Sequence, residues 1–174
     1  MKRLVVLVMA LGLVACDGDN DNPAGPTTTG PIIFTAQLSA ANEVPPVMGV
    51  EGNGRGSVTI TIAIPRDSAG NPTDQGTVTF AMQAQGFNPG SAIIAAHIHP
   101  GAAGVNGGVL VPTTLSPGAP MVLADGTGNL IAGNVIISRD NTAAIMANPA
   151  GYYFNMHTPL NMTGAIRGQL TRVQ

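Results

Sequence analysis

The strongest constraint on the fold is a strict two-residue alternation in residues 57–64. Apolar side chains and polar or small side chains take turns along this segment: Val58, Ile60, Ile62 and Ile64 alternate with Ser57, Thr59, Thr61 and Ala63. Successive side chains of a β-strand point to opposite faces of the sheet. The segment therefore predicts a strand with one face in a hydrophobic core and the other towards solvent.

Similar short segments recur along the chain, separated by clusters of glycine, proline and asparagine. They cover residues 32–40, 76–84, 93–99, 109–111, 121–124, 128–137, 152–157 and 164–171. Only residues 143–147, preceded by the capping sequence Asp140-Asn141-Thr142, predict a helix. Many short strands joined by turns indicate an all-β fold. We therefore predict an antiparallel β-sandwich of the Greek-key type with at most one short helix.

The N-terminus predicts a lipoprotein signal peptide over residues 1–15. Two basic residues precede an apolar core of eleven residues, Leu4 to Val14, which is too short to span a bilayer. The core ends in Leu13-Val14-Ala15-Cys16, which resembles the bacterial lipobox. We predict that Cys16 becomes the lipid-modified N-terminus. The protein would then be exported and anchored to the membrane of the bacterial cell envelope, facing the periplasm or the exterior.

Residues 16–31, which begin with the lipidated cysteine, predict a disordered tether, and residues 32–172 predict the folded domain. The tether is rich in Asp, Asn, Gly, Pro and Thr, so it has too little apolar surface to offset the entropy lost on ordering. Without the signal peptide, five basic and nine acidic side chains remain, a net charge of −4. This balance argues against nucleic-acid binding, which needs a basic surface.

The three histidines of the chain lie in two predicted strands. His97 and His99 share a strand face about 6.5 Å apart, at a rise of about 3.3 Å per residue. His157 ends a second strand, which carries Asn155 on the same face. Three neutral imidazoles suit Cu(II) or Zn(II) and would leave an open position on the ion. The alternative is that the histidines are structural and bond loop backbone, and both interpretations stay open here.

Four motifs in order along the chain resemble the CHRD domain, which is named for chordin and also occurs in secreted bacterial proteins. They are Ala41-Asn42-Glu43-Val44-Pro45-Pro46, Ala96-His97-Ile98-His99-Pro100-Gly101, Tyr153-Phe154-Asn155-Met156-His157-Thr158 and Gly164-Ala165-Ile166-Arg167-Gly168-Gln169-Leu170. The resemblance covers roughly residues 32–172. It implies an extracytoplasmic β-sandwich and no particular reaction. The last motif departs from the family, because Ala165 stands where a glutamate is common.

A looser resemblance, to copper/zinc superoxide dismutases, bears on fold and mechanism. Those enzymes carry His-x-His on one strand of a β-sandwich, a later His on another strand and an Arg near the C-terminus. The matching residues here are His97, His99, His157 and Arg167. The further histidines, the zinc-binding aspartate and the disulfide of that family have no counterpart. These missing residues exclude a dismutase-type zinc site, and a copper site here would have at most three protein ligands.

Arg167 and Asn155 are predicted to lie beside the histidines, which we expect to form one cluster near an end of the sandwich. Arg167 would either draw an anion to the cluster or act structurally, by pairing with Glu43 or Glu51 or by bonding carbonyl groups.

Taken together, the sequence favours a lipid-anchored domain with a binding or structural role at the cell envelope and predicts no catalytic residue. The alternative is a copper- or zinc-binding protein that uses His97, His99 and His157, including a superoxide-dismutase-like redox enzyme. The partner, the metal and the oligomeric state stay open.

Overall fold

The structure is a computed structural model that describes residues 30–174. Within this range the chain forms eleven β-strands and one α-helix: β1 Ile32–Ser39, β2 Arg55–Ala63, β3 Gly76–Gln85, β4 Ser91–Ile93, β5 Ala95–Pro100, β6 Val111–Pro112, β7 Met121–Leu123, β8 Gly128–Ile137, α1 Arg139–Ala147, β9 Tyr152–His157, β10 Ile166–Gln169 and β11 Thr171–Arg172. The predicted signal peptide, Cys16 and most of the predicted tether lie outside the described residues. No helix in residues 30–174 is long and apolar enough to cross a membrane.

Most strands belong to one antiparallel sheet with the order β6-β5-β9-β10-β1-β2-β3-β8, and β11 pairs with β1. The consecutive strands β1, β2 and β3 have β10 returning beside β1, which is a Greek-key arrangement. The end strands β6 and β8 approach each other, so the sheet curls into a nearly closed barrel. Strands β4 and β7 form a separate two-stranded sheet. The prediction of an all-β antiparallel fold with one short helix is therefore confirmed. Where the sequence predicted a sandwich, most of the strands belong to one sheet that curls on itself.

The alternation in β2 fills the core as predicted. Ile60 is fully buried, whereas its neighbour Thr59 is exposed. Strand β2 pairs residue for residue with β1 and β3, which places Phe34 and Phe80 on either side of Ile60. Phe80 stacks on Phe154 of β9 with the ring centroids 5.6 Å apart. This contact across the interior joins the two sides of the barrel into one core.

Helix α1 begins earlier than the sequence pattern predicted. The predicted start was residue 143, but the helix starts at Arg139 and Ser138 is its N-cap. The Ser138 hydroxyl accepts a hydrogen bond from the backbone N–H of Asn141 at 3.1 Å. Because Ser138 already caps the helix, the segment 140–142, which the sequence suggested as the cap, becomes the first turn of the helix.

Strands β5, β9 and β10 are buried on both faces. Their inner face is apolar and carries Ile98, Phe154 and Ile166. Their outer face is polar but equally shielded, because three connections cover it: the glycine-rich loop (residues 101–110), the β9–β10 loop (residues 158–165) and the β1–β2 loop (residues 40–54). This covered polar face holds the candidate site.

Candidate metal centre

The register of β5, β9 and β10 brings the predicted site residues to one face. His97 of β5 lies opposite Asn155 of β9, which in turn lies opposite Arg167 of β10. Along the same face, His99 pairs with Tyr153, and His157 lies at the end of β9 opposite Ala95. Three strands that are distant in sequence therefore place all three histidines together.

The three imidazoles form one compact group. Each offers one ring nitrogen as a ligand atom, and these nitrogens all lie within 4.8 Å of one another. His97 Nδ1 and His157 Nε2 are 3.0 Å apart, and the His97 and His99 ring centroids are 5.4 Å apart. Two nitrogens bonded to one zinc ion at about 2.0–2.1 Å lie at most about 4.2 Å apart. A small inward rotation of the rings would therefore suffice to enclose an ion.

The proton of His99 is held on one nitrogen by the glycine-rich loop. His99 Nδ1 lies 3.0 Å from the carbonyl oxygen of Gly107. A carbonyl can only accept a hydrogen bond, so Nδ1 carries the proton and Nε2 keeps its lone pair. That Nε2 atom is buried and has no hydrogen-bond partner among residues 30–174. A buried nitrogen lone pair without a partner is costly in an apo protein and is what a metal ion would satisfy.

The proton of His157 is held in the same way by the β9–β10 loop. His157 Nδ1 lies 3.0 Å from the carbonyl oxygen of Met162, so this ring also carries its proton on Nδ1. Its Nε2 lies 3.0 Å from Asn155 Oδ1 and accepts the hydrogen bond from His97 Nδ1. Asn155 also bonds the Glu43 carboxyl through its side chain. His157 Nε2 is therefore held between the Asn155 side chain and the His97 ring, within the cluster.

Burial disfavours the charged form of two of the three imidazoles, those of His97 and His157. It lowers the pKa of His97 from its ordinary 6.5 to about 4, and the neighbouring His157 and His99 lower it further. Burial also lowers the pKa of His157, although the hydrogen bond to Met162 opposes this effect. Only the neutral ring can ligate a metal, so this electrostatic environment suits a cation more than it suits protons. His97 is the least buried of the three and opens the cluster to solvent.

Arg167 is close to the histidines but faces the loops. Its guanidinium lies over the Tyr153 ring, 3.4 Å from the centroid, and Tyr153 stacks on His99 with the centroids 4.8 Å apart. It donates hydrogen bonds to the carbonyl oxygens of Ala102 and Val105, at 3.1 and 2.6 Å. Arg167 is only 1% exposed, and its guanidinium bonds carbonyl groups of the glycine-rich loop.

Two buried acids near the site were not singled out as site residues. Glu51 accepts hydrogen bonds from Thr158 and Asn161 in the β9–β10 loop. Burial raises the pKa of Glu43 to about 7, while the charge of Arg167 and the hydrogen bond from Asn155 lower it. Glu43 stands in the first motif of the family resemblance, which was the available signal. Glu51 carries no sequence signal that separates it from a surface acid.

The family model for the CHRD domain matches residues 34–170. This range includes the three histidines, Glu43, Glu51 and Arg167. Comparison with curated proteins and with solved structures found no match.

Proposed function

The chain belongs to the CHRD domain family, and this membership supports an extracellular binding or structural role. We propose that the domain binds one copper or zinc ion through His97, His99 and His157. Two observations carry this proposal. The buried Nε2 of His99 has no hydrogen-bond partner in residues 30–174, and a ring nitrogen of each histidine lies within 4.8 Å of those of the other two. The carbonyl groups of Gly107 and Met162 support it, because metal-binding histidines usually donate their other ring N–H to such an acceptor.

The donor set suits these metals by its chemistry. Neutral imidazole is a good ligand for copper and zinc, and three protein ligands leave one position of the ion open for water or another ligand. We propose binding and not a redox reaction on an anion. Arg167, which would have to attract such an anion, is buried and bonded to the glycine-rich loop.

The proposal is tested by titrating the purified metal-free protein with Zn(II) and Cu(II) at pH 7.5 and counting bound ions by elemental analysis. We expect one ion per chain in the wild type and loss of this ion in His99→Ala and in His157→Ala. Asn129→Ala is the control, since Asn129 is an exposed residue of β8 that pairs with Gln83. Equal weak binding in all four proteins would mean that the histidines serve only as hydrogen-bonding groups.

We also propose that the domain is held at the envelope membrane by lipid on Cys16. The support is the lipobox-like sequence Leu13-Val14-Ala15-Cys16 after an apolar core. Two acyl chains hold a soluble domain at a bilayer stably, whereas a single chain binds marginally. Cys16→Ser should release the protein from the membrane fraction, and the intact mass of the wild type should include the lipid. An unmodified Cys16 in the wild type would reject this part of the proposal.

A further inference from the structure

Arg167 is tied to the orientation of His99 through the glycine-rich loop. Its guanidinium donates to the side-chain oxygen of Asn106 at 2.9 Å, in addition to the two loop carbonyl groups. Asn106 in turn donates to the carbonyl oxygen of Val44 at 2.8 Å. The next residue, Gly107, supplies the carbonyl group that receives the His99 proton.

Glu51 is tied to the orientation of His157 through the β9–β10 loop. Its carboxylate accepts a hydrogen bond from the Thr158 hydroxyl at 2.7 Å and another from the Asn161 side chain at 2.5 Å. The Asn161 backbone N–H also bonds the Thr158 hydroxyl at 3.0 Å, which closes this turn of the loop. The next residue, Met162, supplies the carbonyl group that receives the His157 proton.

The two arrangements have the same construction. In each, a buried charged side chain holds a loop asparagine, and the residue after that asparagine presents its carbonyl oxygen to a histidine Nδ1. We infer that Arg167 and Glu51 are positioning residues that keep the protons of His99 and His157 on Nδ1 and their Nε2 lone pairs directed into the cluster. The effect on metal affinity rests on the proposed function, but the effect on the imidazole protons does not.

The physical argument is the cost of burying these charges. Glu51 is 3% exposed and Arg167 is 1% exposed. A buried charge is tolerated only where hydrogen bonds replace its water. Here those hydrogen bonds go to two loops and help to fix the positions of their carbonyl groups, in addition to the hydrogen bonds that join Gly107 to the Tyr153 hydroxyl and Gly164 to Asn161. Without its carbonyl partner, each neutral imidazole could carry its proton on either nitrogen, and the nitrogen that faces the cluster could lose its lone pair.

The test uses the loop asparagines, because removing a buried charged side chain directly risks unfolding the domain. Asn106→Ala cuts the link to His99, and Asn161→Ala cuts the link to His157. Asn129→Ala on β8 is the matched control. Nitrogen-15 NMR shifts of the imidazole rings, measured on metal-free protein at pH 7.5, report which nitrogen carries the proton.

We expect wild type and control to show both His99 and His157 protonated on Nδ1 alone. Asn106→Ala should give averaged shifts for His99 and leave His157 unchanged, and Asn161→Ala should do the reverse. A loss of general rigidity would not produce this crossed pattern. Zn(II) binding should weaken by about 10- to 100-fold in each variant, the usual effect of losing an outer hydrogen-bond partner of a ligand.

Two results would overturn the inference: unchanged imidazole shifts in both variants, or equal changes at both histidines in either one. Failure of the proposed function is a different outcome. In that case the crossed pattern is present in the metal-free protein, while the wild type binds no Zn(II). The crossed pattern with weakened Zn(II) binding supports both.

Discussion

The two halves of the barrel use the same alternation of side chains for different purposes. In β1, β2, β3 and β8, the inward side chains are apolar and the outward ones meet solvent, as Ile60 and Thr59 show. In β5, β9 and β10 the inward side chains are again apolar, but the outward ones are polar and buried, as Ile98 and His99 show. The difference lies in the loops that cover the second region.

A polar face under a cover carries a requirement that an exposed polar face does not. Each buried donor and acceptor must find a partner, because its hydrogen bonds to water are lost. The loop backbone supplies several of those partners, but two buried side-chain atoms in residues 30–174, His99 Nε2 and Glu43 Oε1, are left without one. The stability of the first region, β1, β2, β3 and β8, can therefore be explained by hydrophobic burial alone. In the second region, β5, β9 and β10, each buried polar atom and its hydrogen-bond partner must also be considered.

The largest expected effect is on the free energy of unfolding, and it comes from the apolar core beneath β2. Ile60→Ala removes a fully buried side chain from the core and should lower the free energy of unfolding by about 2–5 kcal/mol. Thr59→Ala, one residue away on the exposed face, should change it by less than about 0.5 kcal/mol. Denaturant unfolding of both variants measures this. If the two variants were equally stable, β2 would have a different register.

A smaller loss of stability is expected from the loop cover of the second region. A Cβ on Gly107 would lie 1.7 Å from the carbonyl oxygen of Pro100, so Gly107→Ala must displace the loop. We expect a loss of about 1–3 kcal/mol, as for other overpacked sites, together with a change in the His99 ring shifts. At Gly108 an added Cβ meets no atom of the described part of the chain within 4 Å, so Gly108→Ala is the matched control. Equal behaviour of the two variants would contradict the close packing of this loop.

The third prediction concerns pH and applies if the cluster binds metal. An unperturbed imidazole with a pKa of about 6.5 loses about tenfold in its neutral fraction between pH 7.5 and pH 5.5. The pKa of His97 is lowered by burial to about 4, and that of His157 is lowered as well. Zn(II) affinity should therefore fall less between pH 7.5 and pH 5.5 than the affinity of a site made of three imidazoles with unperturbed pKa values. Calorimetry at both pH values, with free imidazole measured in parallel, checks this, and an equal fall would contradict it.

The smallest expected effect is a pH dependence of folding from Glu43. Its pKa of about 7 in the folded protein lies above the ordinary 4.5, so the folded state binds more protons between these values. Its contribution to stability is therefore full below pH 4.5 and is lost as the pH rises towards 7. His97 acts in the opposite direction, because its folded pKa is lowered to about 4 and its stability contribution grows as the pH rises.

Glu43→Gln isolates the first of these effects. The free energy of unfolding of the variant, minus that of the wild type, should rise between about pH 4.5 and 7 and stay constant outside this window. Chemical denaturation at a series of pH values measures the difference. A difference that does not depend on pH would mean that the Glu43 carboxyl is not buried as the structure has it.

Strand positions could be predicted well because alternation is a local property. Tyr152–His157 is a strand as predicted, and the predicted segments 76–84 and 128–137 correspond to β3 and β8. The start of α1 was missed because one hydroxyl, that of Ser138, decides where the helix begins. The segment before His97 is divided into β4 and β5 at Ile94, since its two parts pair with different strands.

For the candidate site, the sequence determined which side chains share a strand face. His97 and His99 must point the same way because two residues separate equivalent positions of a strand. Only the tertiary structure decided that β9 lies between β5 and β10, which brings His157 and Arg167 to the same face. Only the tertiary structure also decided that this face is covered and that the carbonyl groups of Gly107 and Met162 hold the imidazole protons. Gly107 and Met162 lie only eight and five residues after the histidines they bond. Backbone carbonyl groups are nevertheless the same in every residue, so no pattern of side chains could show which of them a histidine would bond.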